Sequence, residues 1–358
     1  MPSRAATLNL QVLLHPTATD FLDATEHILE KHDLTSNIIL PFAIKARKLE
    51  RLPVSSARGP AYWSVPRAAP IQAPRQFWIT QWTVRSPVSA PVLDFVVALT
   101  DGQLGTYPVF IWSPHASIDM TQHFLSPRVQ SIVARLLRLI PAERVFSVFG
   151  QDPVVNAFTS LWTETTGKMP ESEVFYAAKF SYCTAKDLHP APAPIPGHEL
   201  RLATMADLDQ CAQLCKEFAD DSVYFPLSLG GGRQEAQAYI AAKQLWVYAT
   251  PQGIATIVVS SRRTSNAVAS INKVYTPPSF RGKGCAQRLV AHVTRALLAG
   301  TDCATPHRAV VLYVSHGNPA ARVYNRVGFL GLEPNQPCPP LVENWLEIGF
   351  QGTDRGHW

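Results

Sequence analysis

The sequence has few of the features that mark membrane, metal-binding or disulfide-rich proteins. Its longest apolar runs, such as 309–314, are far shorter than the roughly 20 residues of a membrane-spanning helix. The apolar stretch at 8–14 lacks a small-residue cleavage pattern, so no signal peptide is predicted. Six cysteines are scattered without a CxxC pair, which favours buried free thiols over a zinc site or a disulfide framework. We therefore expect a cytoplasmic protein without a membrane contact or a metal.

The chain is also poor in charge. Only 16% of its 358 residues are charged, the net charge is +5, and no basic block occurs. A nucleic-acid-binding protein would have a basic stripe with interleaved aromatic residues, so no nucleic-acid partner is expected. A mild positive balance suits a small anionic ligand instead. The hydrophobic content of 46% is that of a globular protein, and the length allows two domains.

A segment rich in alternating alanine and proline divides the chain. It contains HPAPAPIPG at 189–197, which stiffens the backbone in an extended form and cannot continue a helix or an inner strand. We therefore predict a first domain at 1–182, a linker at 183–198 and a second domain at 199–358. A second proline-rich patch at 51–76 is predicted to be a surface loop of the first domain.

The second half alternates between helical and strand-like patterns. Helices are predicted to begin near 205 and 234, and the later elements are strands at 245–250, 254–261 and 268–276, a helix at 285–298, a strand at 309–314, a helix at 320–326 and a strand at 341–350. This order indicates a mixed α/β layer structure with one βαβ unit in its second half.

A glycine-containing turn joins the strand at 268–276 to the helix at 285–298. It reads Arg281-Gly282-Lys283-Gly284-Cys285-Ala286, and its two glycines allow a tight turn and the close approach of a ligand. Backbone amides and the helix dipole would converge there, and Arg281 and Lys283 add positive charge, which favours a pyrophosphate. The turn is not a P-loop, because no Gly-x-x-x-x-Gly-Lys-Ser/Thr is present, and it is not the dinucleotide fingerprint, because Gln287 replaces the third glycine. By itself the turn is equally compatible with a plain strand-to-helix connection.

A second motif follows, and the two together resemble the GNAT acyltransferase superfamily. The first family motif is a strand, Arg/Gln-x-x-Gly-x-Gly/Ala and a helix, and its places are filled by Arg281, Gly284 and Ala286. The second is a strand, a small-residue helix start, a tyrosine and Gly-Phe, which correspond to AVVLYV, Ala320, Tyr324 and Gly328-Phe329. The chain is similar in particular to a bacterial and fungal subgroup of two-domain GNAT proteins.

The resemblance implies an N-acetyltransferase that uses acetyl-CoA as cosubstrate and acts on a small-molecule amine by direct attack. Backbone groups of Val274 and Thr276 would pair with pantetheine, and a backbone amide there would stabilise the oxyanion. The pyrophosphate would be held by Arg281, Gly282, Lys283, Gly284, Cys285 and Ala286. Tyr324 aligns with the tyrosine that protonates the leaving thiolate, and packing of its helix onto the sheet is the alternative role.

Two parts of the implied site stay open. The family's pantetheine-binding asparagine would stand at 317, where this chain has glycine, and Asn318 follows one residue late. The family's strand glutamate is also missing, because the strand offers only Asn272 and Lys273. Candidate bases are His316, because imidazole is the side chain most often used as a base near neutral pH, or a base that acts through ordered water. The acids at the end of the first helix are further candidates, namely Glu217, Asp220 and Asp221.

The first half of the sequence resembles a degenerate copy of the second half. Residues 145–167 run parallel to 310–329, and 129–140 resemble 286–298. The first copy has SIDMTQHFLSPR in place of the glycine turn and Phe158 in place of Tyr324. We therefore predict a tandem GNAT fold in which each half is a central mixed β-sheet flanked by helices. The degenerate first half would form one side of the acceptor site. The alternative is that the two α/β segments resemble each other by chance.

Other functions are compatible with the same residues. The enzyme would use a longer acyl donor or a hydroxyl acceptor, or the protein would be a non-catalytic acyl-CoA sensor, which the missing strand glutamate favours. Acceptor pockets in this fold come from variable loops, so the acceptor itself is not predicted. We expect a monomer or a homodimer.

Overall fold

The computed structural model describes residues 9–51, 76–86, 88–101, 105–221, 226–262, 267–301, 306–333, 338–354 and 356. All but the two ends of the predicted loop at 51–76, and also Cys303, lie outside these residues. The chain forms two compact units: unit 1 comprises Met1–Ala177 and Asn344–Trp358, and unit 2 comprises Ala178–Glu343. Within the described ranges, no helix is long and apolar enough to cross a membrane.

Unit 1 is a mixed sheet with helices. Among its described residues, four strands follow one another in antiparallel order, namely β1 (Asn9–His15), β2 (Phe77–Val84), β3 (Val92–Leu99) and β4 (Val109–Trp112). Strand β5 (Ser147–Gln151) is parallel to β4, and β12 (Asn344–Gly349) is antiparallel to β5. The helices are α1 (Ala18–Lys31), α2 (Leu40–Glu50), α3 (Gln122–Leu136) and α4 (Asp152–Thr166). A core of aromatic and aliphatic side chains, including Phe95 and Trp162, is fully buried in this unit.

Unit 2 has the same strand order. Its described strands β7 (Glu199–Leu202), β8 (Leu245–Thr250), β9 (Gly253–Arg262) and β10 (Val268–Tyr275) are successively antiparallel. Strand β11 (Ala309–Ser315) is parallel to β10, and β6 (Tyr176–Thr184) is antiparallel to β11. The helices are α5 (Leu208–Asp220), α6 (Leu229–Ala241), α7 (Cys285–Ala299) and α8 (Ala320–Val327). The prediction of a tandem mixed α/β fold is therefore confirmed.

Helix α7 shows how the spacing of apolar residues packs a helix onto the sheet of unit 2. Leu289, Val293 and Leu297 recur every four residues and are almost fully buried on one face of the helix. Burying each such side chain contributes about 1.5–3 kcal/mol. The helix ends at Gly300, whose φ of 71° lies in the left-handed region that favours glycine.

The compact units differ from the predicted linear domains by two strands. Strand β12 was predicted within the second domain, but it pairs with β5 of unit 1. Strand β6 lies mostly within the predicted first domain, but it pairs with β11 along its length in unit 2. An alternating pattern identifies a strand without its partner, because the partner is distant in sequence.

The cysteines are mostly buried, as predicted. Cys183, Cys211, Cys215 and Cys285 are buried free thiols. The prediction was wrong for Cys338, which is exposed, because it lies in the segment before β12 and not in an apolar face of a helix or strand.

Candidate functional site

Strands β10 and β11 part halfway along their length. Their parallel pairing joins Val268–Ile271 to Ala309–Leu312. A bulge between Ile271 and Lys273 then bends β10, while β11 stays paired with β6 as far as Ser315. A wedge therefore opens between residues 272–275 of β10 and 313–315 of β11. In this wedge, the edge of β10 that faces β11 can pair with an extended ligand.

The wedge leads directly into the predicted glycine turn, called here the anion turn (residues 281–286). Gly282 and Gly284 have φ angles of 76° and 74°, a conformation that is inexpensive only for glycine. Gly284 is also the N-cap of α7, so the first amides of that helix have no acceptor within the helix and point out of its end. A Cβ atom on Gly282 would meet nothing within 4 Å, so conformation rather than crowding requires the glycine there.

The two predicted cations lie at this turn and are exposed. Arg281 donates from Nε to the carbonyl oxygen of Thr276 at 2.9 Å, which fastens the turn to the end of β10. The Lys283 ammonium lies 5.3 Å from the centre of the Phe280 ring. Both cations therefore keep their charge near the N-terminus of α7, where an anion is favoured.

A third cation, Arg288, was not predicted from the sequence. It lies one turn into α7, and its Nη1 donates to the carbonyl oxygen of Gly284 at 3.5 Å. Its Nε is buried and has no hydrogen-bond partner among the described residues. Leaving a buried donor unpaired costs about 1–3 kcal/mol, so an anionic oxygen at the turn would stabilise it. The spacing of four residues from Gly284 was the signal that the sequence offered.

Cys285 and Ala286 open helix α7 behind the turn. Burial raises the pKa of the Cys285 thiol, which keeps it in the unreactive neutral form. Ala286 is half-buried. These two positions contribute backbone amides and leave room for a ligand at the turn, and neither carries a reactive side chain.

Tyr324 lies on α8 with its side chain in the core that α7 forms with the sheet. It is 8% exposed, and its ring packs edge-on against Phe329 with the centroids 6.0 Å apart. Val274 of β10 packs against the same cluster. The ring of Tyr324 and the side chain of Val274 therefore lie on the same face of the sheet.

His316 and Asn318 lie in the turn after β11, and both are exposed. The Asn318 Oδ1 accepts a hydrogen bond from the backbone amide of Ala320 at 2.9 Å. This bond caps the start of α8, so the side-chain oxygen of Asn318 already has a structural role. His316 follows Ser315, the last residue of β11, at the open end of the wedge.

The candidate carboxylates lie on α5, at its end and on α6, the helices that pack on the opposite face of β10. Burial raises the pKa of Tyr275, and the charge and hydrogen bond of Glu217 raise it further. Asp220 is exposed and pairs with Lys216, and Asp221 is also exposed. Glu235 of α6, which was not predicted, accepts a hydrogen bond from the Lys273 ammonium at 2.6 Å. No motif marked Glu235, because its relation to β10 arises only from the packing of α6 on the sheet.

The equivalent position in unit 1 is closed by its own side chains. Gly150 lies so close to β4 that a Cβ atom there would overlap the carbonyl oxygen of Ile111. The side-chain amide of Gln151 then spans the strand ends: Oε1 accepts from the Ser113 amide and Nε2 donates to the His115 carbonyl, both at 3.1 Å. Gln151 thus occupies the backbone-pairing positions that the wedge of unit 2 leaves available.

A buried cation near the start of α3 in unit 1 is also neutralised internally. Arg128 donates from Nε to the buried carboxylate of Asp94 at 2.9 Å. Burial acts to raise the pKa of Asp94, but hydrogen bonds from His115, Thr83 and Arg128 together hold it below its usual value. Arg128 therefore differs from Arg288, whose Nε lacks such a partner.

The site contains side chains for acid–base chemistry and for anion binding. Across the described parts of the chain, no group of three or more His, Cys, Asp or Glu residues is arranged to hold a metal ion.

Comparison with known proteins gives a family match for part of unit 2. Residues 241–330 match the family model described as acetyltransferase (GNAT) domain. These residues include the wedge, the anion turn and Tyr324. No curated protein matches the chain in sequence.

Solved structures with a similar fold include several GNAT proteins. A GCN5-related N-acetyltransferase from Sphaerobacter thermophilus is 12% identical, with 94% of each chain covered and a TM-score of 0.47. A tandem GNAT protein from the clavulanic acid biosynthesis pathway is 13% identical, with 97% of this chain and 100% of that chain covered and a TM-score of 0.43. An acetyltransferase of the GNAT family from Colwellia psychrerythraea is 13% identical, with 78% and 86% covered and a TM-score of 0.43. The similarity to the GNAT family therefore rests on the matched residues 241–330.

Proposed function

We propose that unit 2 transfers an acetyl group from acetyl-CoA to the amine of a small molecule. The observation that carries this proposal is the continuity of the wedge with the anion turn. An extended pantetheine arm can pair with β10 between Ile271 and Thr276, and a pyrophosphate can then meet the amides of α7. A ligand with an extended amide-containing arm and a diphosphate matches both parts.

The residues present fit coenzyme A. The buried Nε of Arg288 lacks an acceptor in the described chain, and a diphosphate oxygen would supply one. Backbone groups of Val274 and Thr276 would pair with the pantetheine arm, and residues 281–286 would hold the diphosphate. When bound, the thioester supplies an activated acyl group.

The chain's own groups then position the amine and move protons. The amine nitrogen attacks the carbonyl carbon, a nitrogen–carbon bond forms, and the carbon–sulfur bond breaks. A backbone amide at the bulge would stabilise the negative charge that develops on the carbonyl oxygen. Tyr324, which belongs to the core cluster against which Val274 packs, would give its proton to the sulfur.

A second candidate is a non-catalytic acyl-CoA sensor. It is favoured by the side chains of β10 at the bulge, Asn272 and Lys273, because neither is a carboxylate that could act as a base. Such a protein would bind the same thioester without consuming it.

Calorimetry and a thiol-release assay test the proposal together. Wild-type protein should bind coenzyme A, and Arg288→Met should weaken binding about tenfold, since one charge-assisted bond contributes about 1.5–3 kcal/mol. Arg295→Met is the matched control, because Arg295 lies on the same helix and donates to the carbonyl oxygen of Ala291 at 3.3 Å. Release of free coenzyme A from acetyl-CoA should depend on an added amine.

Three results would contradict the proposal. Failure of the wild-type protein to bind coenzyme A would remove the site. Equal effects of Arg288→Met and Arg295→Met on coenzyme A affinity would show that the anion turn is not part of the coenzyme A site. Binding without amine-dependent thiol release would establish the sensor instead.

A further inference from the structure

We propose that Glu235 of α6 accepts the proton of the incoming amine, and that Lys273 positions its carboxylate for this step. This inference rests on the proposed acyl transfer and assigns the base that β10 itself lacks. Its basis is a shielded ion pair at the point where the wedge begins.

The carboxylate of Glu235 is held at both oxygens. The Lys273 ammonium donates to Oε2 at 2.6 Å, and the Tyr239 hydroxyl donates to Oε1 at 3.1 Å. The side chains of Lys273 and Glu235 are only 9% and 14% exposed. The Cys215 thiol also forms a hydrogen bond with this carboxylate. An ionised carboxylate has about four acceptor positions, so three bonds leave room for an amine hydrogen. The group is therefore both oriented and able to accept a further proton.

The position of the pair follows from the bulge in β10. Lys273 is the first residue after the bulge, and its side chain contacts α5 and α6. Val274, the next residue, packs with Tyr324 on the face that α7 covers. Glu235 and Tyr324 therefore lie on opposite faces of β10, with the wedge between them.

Opposite faces suit the two proton transfers of acyl transfer. The amine would approach the thioester from the side of α5 and α6, and its hydrogen would pass to Glu235 as the nitrogen–carbon bond forms. The carbon–sulfur bond breaks, and the sulfur takes the proton of Tyr324. Solvent then removes the proton from Glu235 and returns one to Tyr324, so an amine and a thioester become an amide and a thiol.

Aromatic side chains shield the ion pair of Lys273 and Glu235. The Lys273 ammonium lies 4.8 Å from the centre of the Phe218 ring and 5.9 Å from that of Tyr239. These rings restrict water, so the attraction between Lys273 and Glu235 is screened less than on the surface. Cys215 of α5 also faces the pair, and burial raises the pKa of its thiol to about 12, so it adds no charge.

The other acids on this face are placed differently. Glu217 interacts with Tyr275, the last residue of β10, and Asp220 pairs with Lys216 on its own helix. Asp221 is exposed. Glu235 is the carboxylate that contacts β10 beside the bulge, where the carbonyl carbon of a thioester in the wedge would lie.

Amine-dependent thiol release, measured across pH, tests the role of Glu235. Glu235→Gln keeps the shape and removes the charge, and it should lower kcat/KM for the amine about 100-fold or more. Affinity for coenzyme A should stay within about twofold, because no contact with that ligand is lost. Glu26→Gln is the matched control, since Glu26 forms a similar ion pair with Arg47 at 2.6 Å in unit 1. This control should leave kcat/KM unchanged.

Lys273→Met separates a positioning role from a structural one. Loss of the ammonium should leave the Glu235 carboxylate without its orienting partner, so kcat for the amine should fall about tenfold while the affinity for coenzyme A stays within about twofold. The double variant Lys273→Met/Glu235→Gln leaves no unpaired buried charge, so it should fold with nearly the wild-type Tm. It should still show the large loss of kcat/KM.

Each result is decisive. Wild-type-like turnover in the folded double variant would overturn the proton-accepting role of Glu235, and an unchanged kcat in Lys273→Met would overturn the positioning role of Lys273, while acyl transfer stands. No thiol release by the wild type with any amine would overturn the proposed function, and the role of Glu235 with it.

Discussion

Ser147 and Glu347 are 200 residues apart in the sequence, and the Ser147 hydroxyl donates a buried hydrogen bond of 2.7 Å to the Glu347 carboxylate. They lie on β5 and β12, which pair in unit 1. The last strand of the chain thus completes the sheet built by the first half, and β6 from the first half completes the sheet of unit 2. Each unit therefore depends on a strand from the other half of the sequence.

This exchange predicts that a substitution near the C-terminus destabilises unit 1. Trp345 of β12 is fully buried and packs against Phe149 of β5, with the ring centroids 5.5 Å apart. Trp345→Ala should lower the free energy of unfolding by about 3–5 kcal/mol, as measured by urea denaturation. Hydrogen exchange should accelerate in Ser147–Gln151. A loss below about 1 kcal/mol would show that β12 is dispensable to unit 1.

The anion turn predicts a loss of binding that exceeds the loss of stability. Gly284→Ala introduces a Cβ atom at a φ of 74°, 2.8 Å from the flexible end of Arg288, so strain comes mainly from the backbone. Gly167→Ala is the control, because Gly167 has a φ of 70° and nothing within 4 Å of its Cβ position.

Both glycine variants should lose about 1 kcal/mol of stability. Calorimetry should show that only Gly284→Ala weakens coenzyme A binding, by about tenfold, because only it distorts the amides that meet the diphosphate. Equal affinities in the two variants would place the diphosphate elsewhere.

Tyr324→Phe keeps the ring and its packing against Phe329 and removes the hydroxyl. A thiol has a pKa near 8.5, below that of a free phenol, so the thiolate leaves with little help. Turnover should therefore fall by about 10–1000-fold, at the modest end of general acid catalysis, while acetyl-CoA affinity stays nearly constant. Steady-state kinetics within about twofold of wild type would assign Tyr324 to packing alone.

Asp207 is expected to contribute to the stability of unit 2 in a pH-dependent way. Hydrogen bonding to Arg201 is the main cause that lowers the pKa of Asp207 to about 2 from its ordinary value of 3.8. A carboxyl group whose pKa is depressed in the folded state stabilises that state above its unfolded pKa. The contribution should therefore be full above pH about 4 and lost as pH falls towards about 2.

Asp207→Asn removes this charge and should cost about 1 kcal/mol near pH 7, because Arg201 is partly exposed. Urea unfolding of both proteins should converge as the pH falls from about 4 to about 2. A difference that is independent of pH would mean that the charge contributes nothing.

The sequence predicted the helices and strands of unit 2 and the anion turn better than it predicted which strands pair and which side chains meet. Arg281, Gly284 and Tyr324 occupy motif positions that local order determines: the first two lie in the turn before α7, and Tyr324 lies on α8. Lys273 and Glu235 come together only when α6 packs on β10, so no local pattern predicted their contact. The partner of β12 was missed for the same reason, since alternation in a strand carries no record of a neighbour 200 residues away.

Hydrogen exchange with and without coenzyme A tests the central claim that the wedge and the anion turn of unit 2 form the acyl-donor site. Binding should slow exchange of the amides at 272–276 and 282–287, because pantetheine would pair with the first set and the diphosphate with the second. In unit 1 the Ser113 amide already donates to the side chain of Gln151 and the His115 amide to the Ser113 hydroxyl, so exchange at these two amides should stay unchanged. Slowed exchange around Ser113 with none at 272–287 would contradict the account.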